Sequence, residues 1–308
     1  MTDMKHTDME EINIATDVLV LGGGLTGIKA ASEIAGSGYK VILVEKDAEL
    51  GSQKAPESLA GLTVEVEALQ DLESKITADS NVEILTQASL VDAAGVTGDF
   101  TARLSKGEEV IEQKVGAIVV ATDFVAAALN EAYGLSLSDN VLSQSQMAEL
   151  LASEAGKGKL ANKTVAFLVG LAQDGNPVVM ERVLKSVLAL QEIEGCDAYI
   201  YAGDLKVASN GLERMYMESR EKGAVYFKLT EKPEILENGK TISFFDPVAR
   251  RNIEISPDFI VVEEELRAGD LNGEIAEALR INLGPSGFLQ SDNVHFFPVR
   301  SNREGVFV

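Results

Sequence analysis

The chain has 308 residues, of which 45% are hydrophobic, and a formal net charge of −22. That length accommodates two domains of ordinary size. The acidic balance repels phosphate backbones and makes nucleic acid a poor partner; its simplest role is solubility. Cys196 is the only cysteine, and His6 and His295 are the only histidines. The chain alone therefore builds no disulfide, no cysteine-ligated iron–sulfur cluster and no dithiol, and a histidine metal site or a Ser–His–Asp triad is not expected. No apolar run reaches bilayer-spanning length. The opening MTDMKHTDMEE is polar and acidic, without a signal-peptide pattern, so the expected location is cytoplasmic.

The first predicted strand is Val18 to Leu21, short and wholly apolar. Gly22, Gly24 and Gly27 follow directly as G-x-G-x-x-G, and Ile28, Ala31 and Ile34 then recur at helical spacing up to Gly36-Ser37-Gly38. A second strand, Val41 to Val44, ends in Glu45. Together these form a βαβ dinucleotide fingerprint. Gly22 permits the tight turn, Gly24 lets the backbone approach a pyrophosphate, and Gly27 lets the helix pack on the strand. Leu25 and Thr26 open the helix, whose free N–H groups and positive dipole end suit phosphate. Glu45 is placed to accept hydrogen bonds from a ribose diol, and its charge disfavours a 2′-phosphate. The plainer alternative is a tight turn in a parallel sheet with no ligand.

Next, Val82 to Leu85 reads as a third parallel strand, and Phe100 to Leu104 with Val110 to Gln113 as a hairpin over Ser105-Lys106-Gly107. Lys114 to Phe124 contains a β-branched strand that runs into Ala121-Thr122-Asp123. Asp123 either faces the nucleotide or caps a following helical segment.

A polar stretch, Ser153 to Asn162, precedes a second βαβαβ unit. KTVAFLVG is a strand ending at Gly170. The helix of PVVMERVLKSVLALQEIEG is capped by Asn176, with Pro177 in its first turn. Val179, Met180, Val183, Leu184, Val187, Leu188 and Leu190 share its apolar face. AYIYAG is a strand, Asn210 to Glu213 has capping-box spacing before a helix ending at Gly223, and VYFKLT is a third strand. The turn from Gly170 to Gly175 lacks G-x-G-x-x-G, and Asp174 lies where a phosphate would be unwelcome, which argues against a nicotinamide nucleotide here. Cys196 and the Met215-Tyr216-Met217 run read as packing residues rather than reactive or partner-facing ones. No side chain stands out as a catalytic acid, base or nucleophile.

VLVLGGGLTGIKAA and GYKVILVEKDAELG resemble the N-terminal FAD segment of two-dinucleotide-binding-domain flavoproteins. Within it, Lys46 and Gly51 match the V-E-K-x-x-x-x-G-G pattern, with Ser52 in place of the second Gly, and Ala121-Thr122-Asp123 stands where those proteins read A-T-G. With NVEILTQASLV, VGAIVVATDF, GLERMYMESREKGAVYF and NVHFFPVRSNREGVFV, the chain resembles specifically the flavoprotein A subunit of heterodisulfide reductases and the related flavoproteins of quinone-interacting membrane-bound oxidoreductase complexes.

The resemblance implies an α/β fold of two Rossmann-like dinucleotide-binding domains: a three-layer FAD domain with an antiparallel flap, and a second βαβ domain inserted into it. The expected boundaries are 12–125 for the first part of the FAD domain, 160–265 for the insertion and 280–308 for the return. The resemblance implies FAD as cofactor, with Leu90 near the adenine and Ala121 and Thr122 at the domain exit. It implies an electron-transfer subunit whose iron–sulfur partners belong to a multisubunit complex. The departures, Asp123, Glu263 to Glu265 and the missing redox cysteines, leave a non-catalytic adaptor with a degenerate flavoprotein fold as the alternative. In such flavoproteins the strand matching Val306, Phe307 and Val308, with Ser301 in a Thr position, leads into A-G-D. The expectation is therefore a chain cut short of that segment.

Overall fold

The computed structural model describes residues 14–51, 66–236, 239–247, 249–284 and 286–308; His6 and Ser52 lie outside them. The chain divides into two compact units. One comprises the N-terminal stretch through Gly51, Glu67–Asp123 and Ala268–Val308; the other is built on Phe124–Arg267.

The first unit carries a parallel sheet of β1 (Val18–Leu21), β2 (Val41–Val44), β3 (Val82–Leu85), β7 (Ala117–Val120) and β18 (Val306–Phe307), in the order β18-β7-β1-β2-β3. The strands are near-continuous apolar runs because both faces are covered. Helix α1 (Leu25–Gly36) packs against β1 and β2. Helix α2 (Val66–Ala78) buries Leu69 and Ile76. Leu19, Leu21, Ile42, Val44, Ile118 and Val120 share a core with an antiparallel flap and with α7 (Asn272–Leu279). The flap is β4 (Ala88–Val96), β5 (Asp99–Lys106) and β6 (Glu109–Val115), paired in chain order. It has three strands where a hairpin was expected, and the Lys106–Glu109 pair sets its tight turn one step beyond Ser105-Lys106-Gly107.

The closing strand β18 lies parallel to β7, with Val306 fully buried. The Ser301 hydroxyl donates to the Val306 carbonyl at 2.8 Å and braces its entry. Arg303 ties the region together. Its guanidinium donates to the Leu279, Ala93 and Gly95 carbonyls and covers the Phe100 ring.

The second unit has its own parallel sheet, in the order β12-β11-β10-β16-β9. Its strands are β9 (Val141–Ser143), β10 (Thr164–Val169), β11 (Asp197–Ala202), β12 (Val225–Lys228) and β16 (Phe259–Val262). Helices α3 (Gln144–Leu151), α4 (Glu154–Leu160), α5 (Pro177–Leu190) and α6 (Leu212–Glu221) complete one core with it. Its other face packs on an antiparallel sheet of β13 (Glu234–Leu236), β14 (Thr241–Asp246) and β15 (Arg251–Ile255). β8 (Phe124–Ala128) and β17 (Glu264–Ala268) pair as a ribbon.

Several local expectations are corrected. Asp123 caps no helix, because strand β8 follows it. Asn210 and Glu213 form no capping box: α6 starts from Gly211 at φ +84° without a side-chain cap. A reciprocal box forms instead at Ser143 and Gln146, which open α3. On α5, Asn176 accepts from the Val178 N–H as expected, but the buried face includes Arg182 and Ser186 while Leu188 is half-buried.

Candidate functional site

The β1–α1 turn is built by exclusion of side chains. Gly22 adopts φ +107°, a left-handed conformation that favours glycine, and a Cβ there would overlap the Ala121 carbonyl. A Cβ on Gly27 would overlap the Gly22 carbonyl, so the helix sits flush on the turn. Gly51 returns to the same place: its N–H donates to the Gly23 carbonyl at 2.8 Å, and a Cβ would come within 2.9 Å of the Gly24 Cα. Gly24 is the N-cap of α1 and brings no capping side chain, so the first turn of the helix is open to an external acceptor.

Glu45 closes one side of this cradle. It sits at the end of β2, only 8% exposed. Its Oε2 accepts from the Gly23 N–H at 2.6 Å and its Oε1 from the Asp47 N–H at 2.9 Å. Two backbone donors thus hold the carboxylate beside the glycine turn. Lys46 points to solvent and pairs with Asp47 at 3.5 Å. Leu25 is half-buried and Thr26 exposed.

Ala121 is buried, its N–H donating to the Leu21 carbonyl at 2.7 Å. The Thr122 hydroxyl donates to Asn272 Oδ1 at 2.7 Å, and Asn272 in turn donates to the Gly287 carbonyl. Thr122 thereby fixes the exit of β7 on the start of α7. Leu90 lies on β4 opposite Leu104 and packs against the first unit's core. It is two residues beyond Ala88, whose N–H bonds the Glu45 carbonyl. Gly22, Gly24, Gly27, Glu45, Gly51 and Ala121 are thus brought to one place, whereas Lys46 and Leu90 lie at its margins.

A residue singled out in the sequence for its charge takes a specific position here. A Cβ on Gly24 would overlap both carboxylate oxygens of Asp123. The acid therefore lies against the glycine where the fingerprint requires the closest backbone approach. A carboxylate at a helix N-terminus is favourable, roughly 0.3–1 kcal/mol when exposed. The glycine cradle and buried Glu45 fit a dinucleotide; Asp123 is exposed, so its side chain can swing away.

A cavity of about 560 Å³ lies elsewhere in the first unit, lined by residues such as Ile14, Val18, Tyr39 and Phe307. Its wall includes the start of β1, the end opposite the glycine turn. Among the described residues no group of His, Cys, Asp and Glu is arranged for a metal ion, and no helix is long and apolar enough to cross a membrane.

Residues 17–231 match the FAD dependent oxidoreductase family, a span that includes the glycine cradle and Glu45. The chain belongs to this family. FAD is the family's cofactor, and the heterodisulfide-reductase resemblance holds over nearly the whole chain. Identity is 21% with a CoB–CoM heterodisulfide reductase iron-sulfur subunit of Methanopyrus kandleri, covering 97% of this chain and 61% of that protein. It is also 21% with a flavoprotein-like relative from Methanococcus maripaludis that belongs by name to the H2/formate:CoB-CoM heterodisulfide, ferredoxin reductase, covering 99% and 62%. The chain thus spans about three fifths of the length of these curated relatives. Among solved structures, thioredoxin reductase of T. acidophilum superposes with a TM-score of 0.56 at 14% identity, covering 95% of this chain and 89% of that one. The Lactococcus lactis thioredoxin reductase gives 0.53 at 17% identity, covering 95% and 88%. These likenesses establish the fold of this FAD-dependent oxidoreductase: two Rossmann-like units, the second inserted in the first.

Proposed function

We propose that this chain is the flavin-carrying electron-transfer subunit of a heterodisulfide-reductase-like complex, exchanging electrons with iron–sulfur partner subunits in the cytoplasm. The observation that carries the reading is the glycine cradle with Glu45 held beside it. Gly22, Gly24 and Gly27 admit the pyrophosphate, the N–H groups of Leu25 and Thr26 offer it donors, and Glu45 faces the ribose. Gly51 keeps that wall free of side chains, Lys46 lends a positive charge at the margin, and Leu90, Ala121 and Thr122 line the remainder. When bound, FAD supplies the electron-carrying isoalloxazine ring; the protein orients it and sets its potential. The chain's single cysteine supports placing the clusters on partners.

A second reading, a non-catalytic adaptor with a degenerate flavoprotein fold, is favoured by one observation: the Asp123 carboxylate against Gly24. The two separate experimentally. Chain reconstituted with FAD is reduced anaerobically and mixed with an oxidised two-cluster ferredoxin in a stopped-flow instrument. Electron transfer predicts that the flavin absorbance recovers as the ferredoxin bleaches. A chain that takes up FAD but shows no exchange with the ferredoxin contradicts the electron-transfer reading.

A further inference from the structure

The second unit answers the same topological position with a different chemistry. In doubly wound sheets, dinucleotide phosphates bind in the crevice beyond the carboxyl ends of the strands, on the turn after the first strand. Here that turn follows β10. Gly170 adopts φ +64°, and the N–H groups of Gly170, Leu171 and Ala172 converge on one point. Successive backbone N–H groups in such a turn form an anion-binding concavity.

The concavity already holds an anion. Glu263, fully buried, leaves the end of β16, the parallel neighbour of β10. Its Oε2 accepts from Gly170 N–H at 2.8 Å and from the Gln173 amide at 3.3 Å. Its Oε1 accepts from Ala172 N–H at 2.8 Å, from Leu171 N–H at 3.2 Å and from the Tyr133 hydroxyl. The Gln173 amide also donates to the Glu264 carbonyl, which fixes the turn on the strand end. Five donors for one carboxylate amount to the inventory a phosphate would require.

We propose that Glu263 is a built-in substitute for a dinucleotide phosphate, which closes the second unit to NADH and NADPH. A pyrophosphate entering this turn would have to displace Glu263 from all five donors or lie beside its buried charge, and either is costly. On the flavin reading above, the electrons then come from a donor other than a reduced nicotinamide.

The test needs no flavin, so its failure is distinct from failure of that reading. Purified chain is titrated with NADH and with NADPH up to millimolar concentration by isothermal calorimetry. No binding is expected; a micromolar Kd for either would overturn the proposal. In parallel, the melting temperatures of wild type and Glu263→Ala are compared with and without inorganic pyrophosphate. The variant's emptied turn is expected to take the anion, raising its Tm by about 3 °C more than that of wild type. A folded variant with no such excess shift would overturn the anion-seat assignment. If Glu263→Ala does not fold in plain buffer, recovery of its circular dichroism in pyrophosphate is the expected result, and absence of recovery counts against the proposal.

Discussion

Asp123 and Glu263 occupy comparable places, each just beyond a strand that flanks the first strand of its own sheet. Their environments separate their consequences. Asp123 is exposed at the rim of its glycine turn, so a ligand can move it aside; Glu263 is fully buried on five donors and cannot be moved cheaply. Replacing Asp123 with Gly is therefore predicted to tighten FAD binding about tenfold, roughly 1.4 kcal/mol, in a fluorescence-quenching titration. Unchanged affinity would show that the acid does not compete with the cofactor. Cys196 is the third informative residue. Burial, then the charges of Asp197 and Asp258, push its thiol up to about 11. It should be alkylated by iodoacetamide far more slowly than a free thiol at pH 8, with the rate still climbing above pH 10. The sign for stability follows: the raised folded pKa favours the native state below about pH 8.5, the unperturbed thiol value, and that contribution is lost as pH rises towards the folded value.

The ordering of elements depends on buried polar contacts that the sequence states only obscurely. Glu264 of β17 accepts from Arg182 of α5 at 2.5 Å and from Ser145 of α3 at 3.0 and 3.1 Å, and Arg182 also donates to the Ser145 hydroxyl. Both charges are almost wholly buried. Removing one leaves the other uncompensated, so Glu264→Ala is expected to cost about 3–5 kcal/mol in urea unfolding, while Arg182→Met combined with Glu264→Leu should cost much less. Equal losses in both would argue against a coupled pair. In the sequence, Glu263, Glu264 and Glu265 read as an acidic run on one long strand. Yet β16 stops at Val262, Glu263 turns into the neighbouring loop, and only Glu265 remains on the outside, paired with Arg267. Charge composition cannot reveal this, because the partners lie about 80 to 130 residues away in the chain.

The elements carried by local signals were legible. The wholly apolar β1 and β2, the glycine turn, the Asn176-capped α5 and the parallel β10, β11 and β12 follow from periodicity and turn chemistry. β9, with three residues, and the sheet β13–β15 were not recognised. The Asn238-Gly239 dipeptide between two apolar runs is a hairpin signal that would have found β13 and β14; Gly239 takes φ +92°, while Asn238 lies outside the described residues. Of the site, the residue types and their spacing were readable, but the Glu45 contact with Gly23 and the proximity of Asp123 to Gly24 were not. Both depend on how separate strands end side by side.

For the molecule as a whole, the account rests on the first unit holding FAD at its glycine cradle. Two glycines divide stability from binding. A Cβ at Gly27 meets a backbone carbonyl that cannot yield, so Gly27→Ala is predicted to destabilise the fold by about 1–3 kcal/mol. At Gly24 it meets the end of an exposed side chain, so Gly24→Ala should fold normally and yet fill the seat of the pyrophosphate. The decisive measurement is the visible absorption spectrum of the chain after reconstitution with FAD and removal of excess, with the released cofactor identified after denaturation. The account predicts a stoichiometric flavin spectrum for wild type and its loss in a folded Gly24→Ala. A wild-type chain that stays colourless, or a Gly24→Ala that retains FAD undiminished, would contradict it.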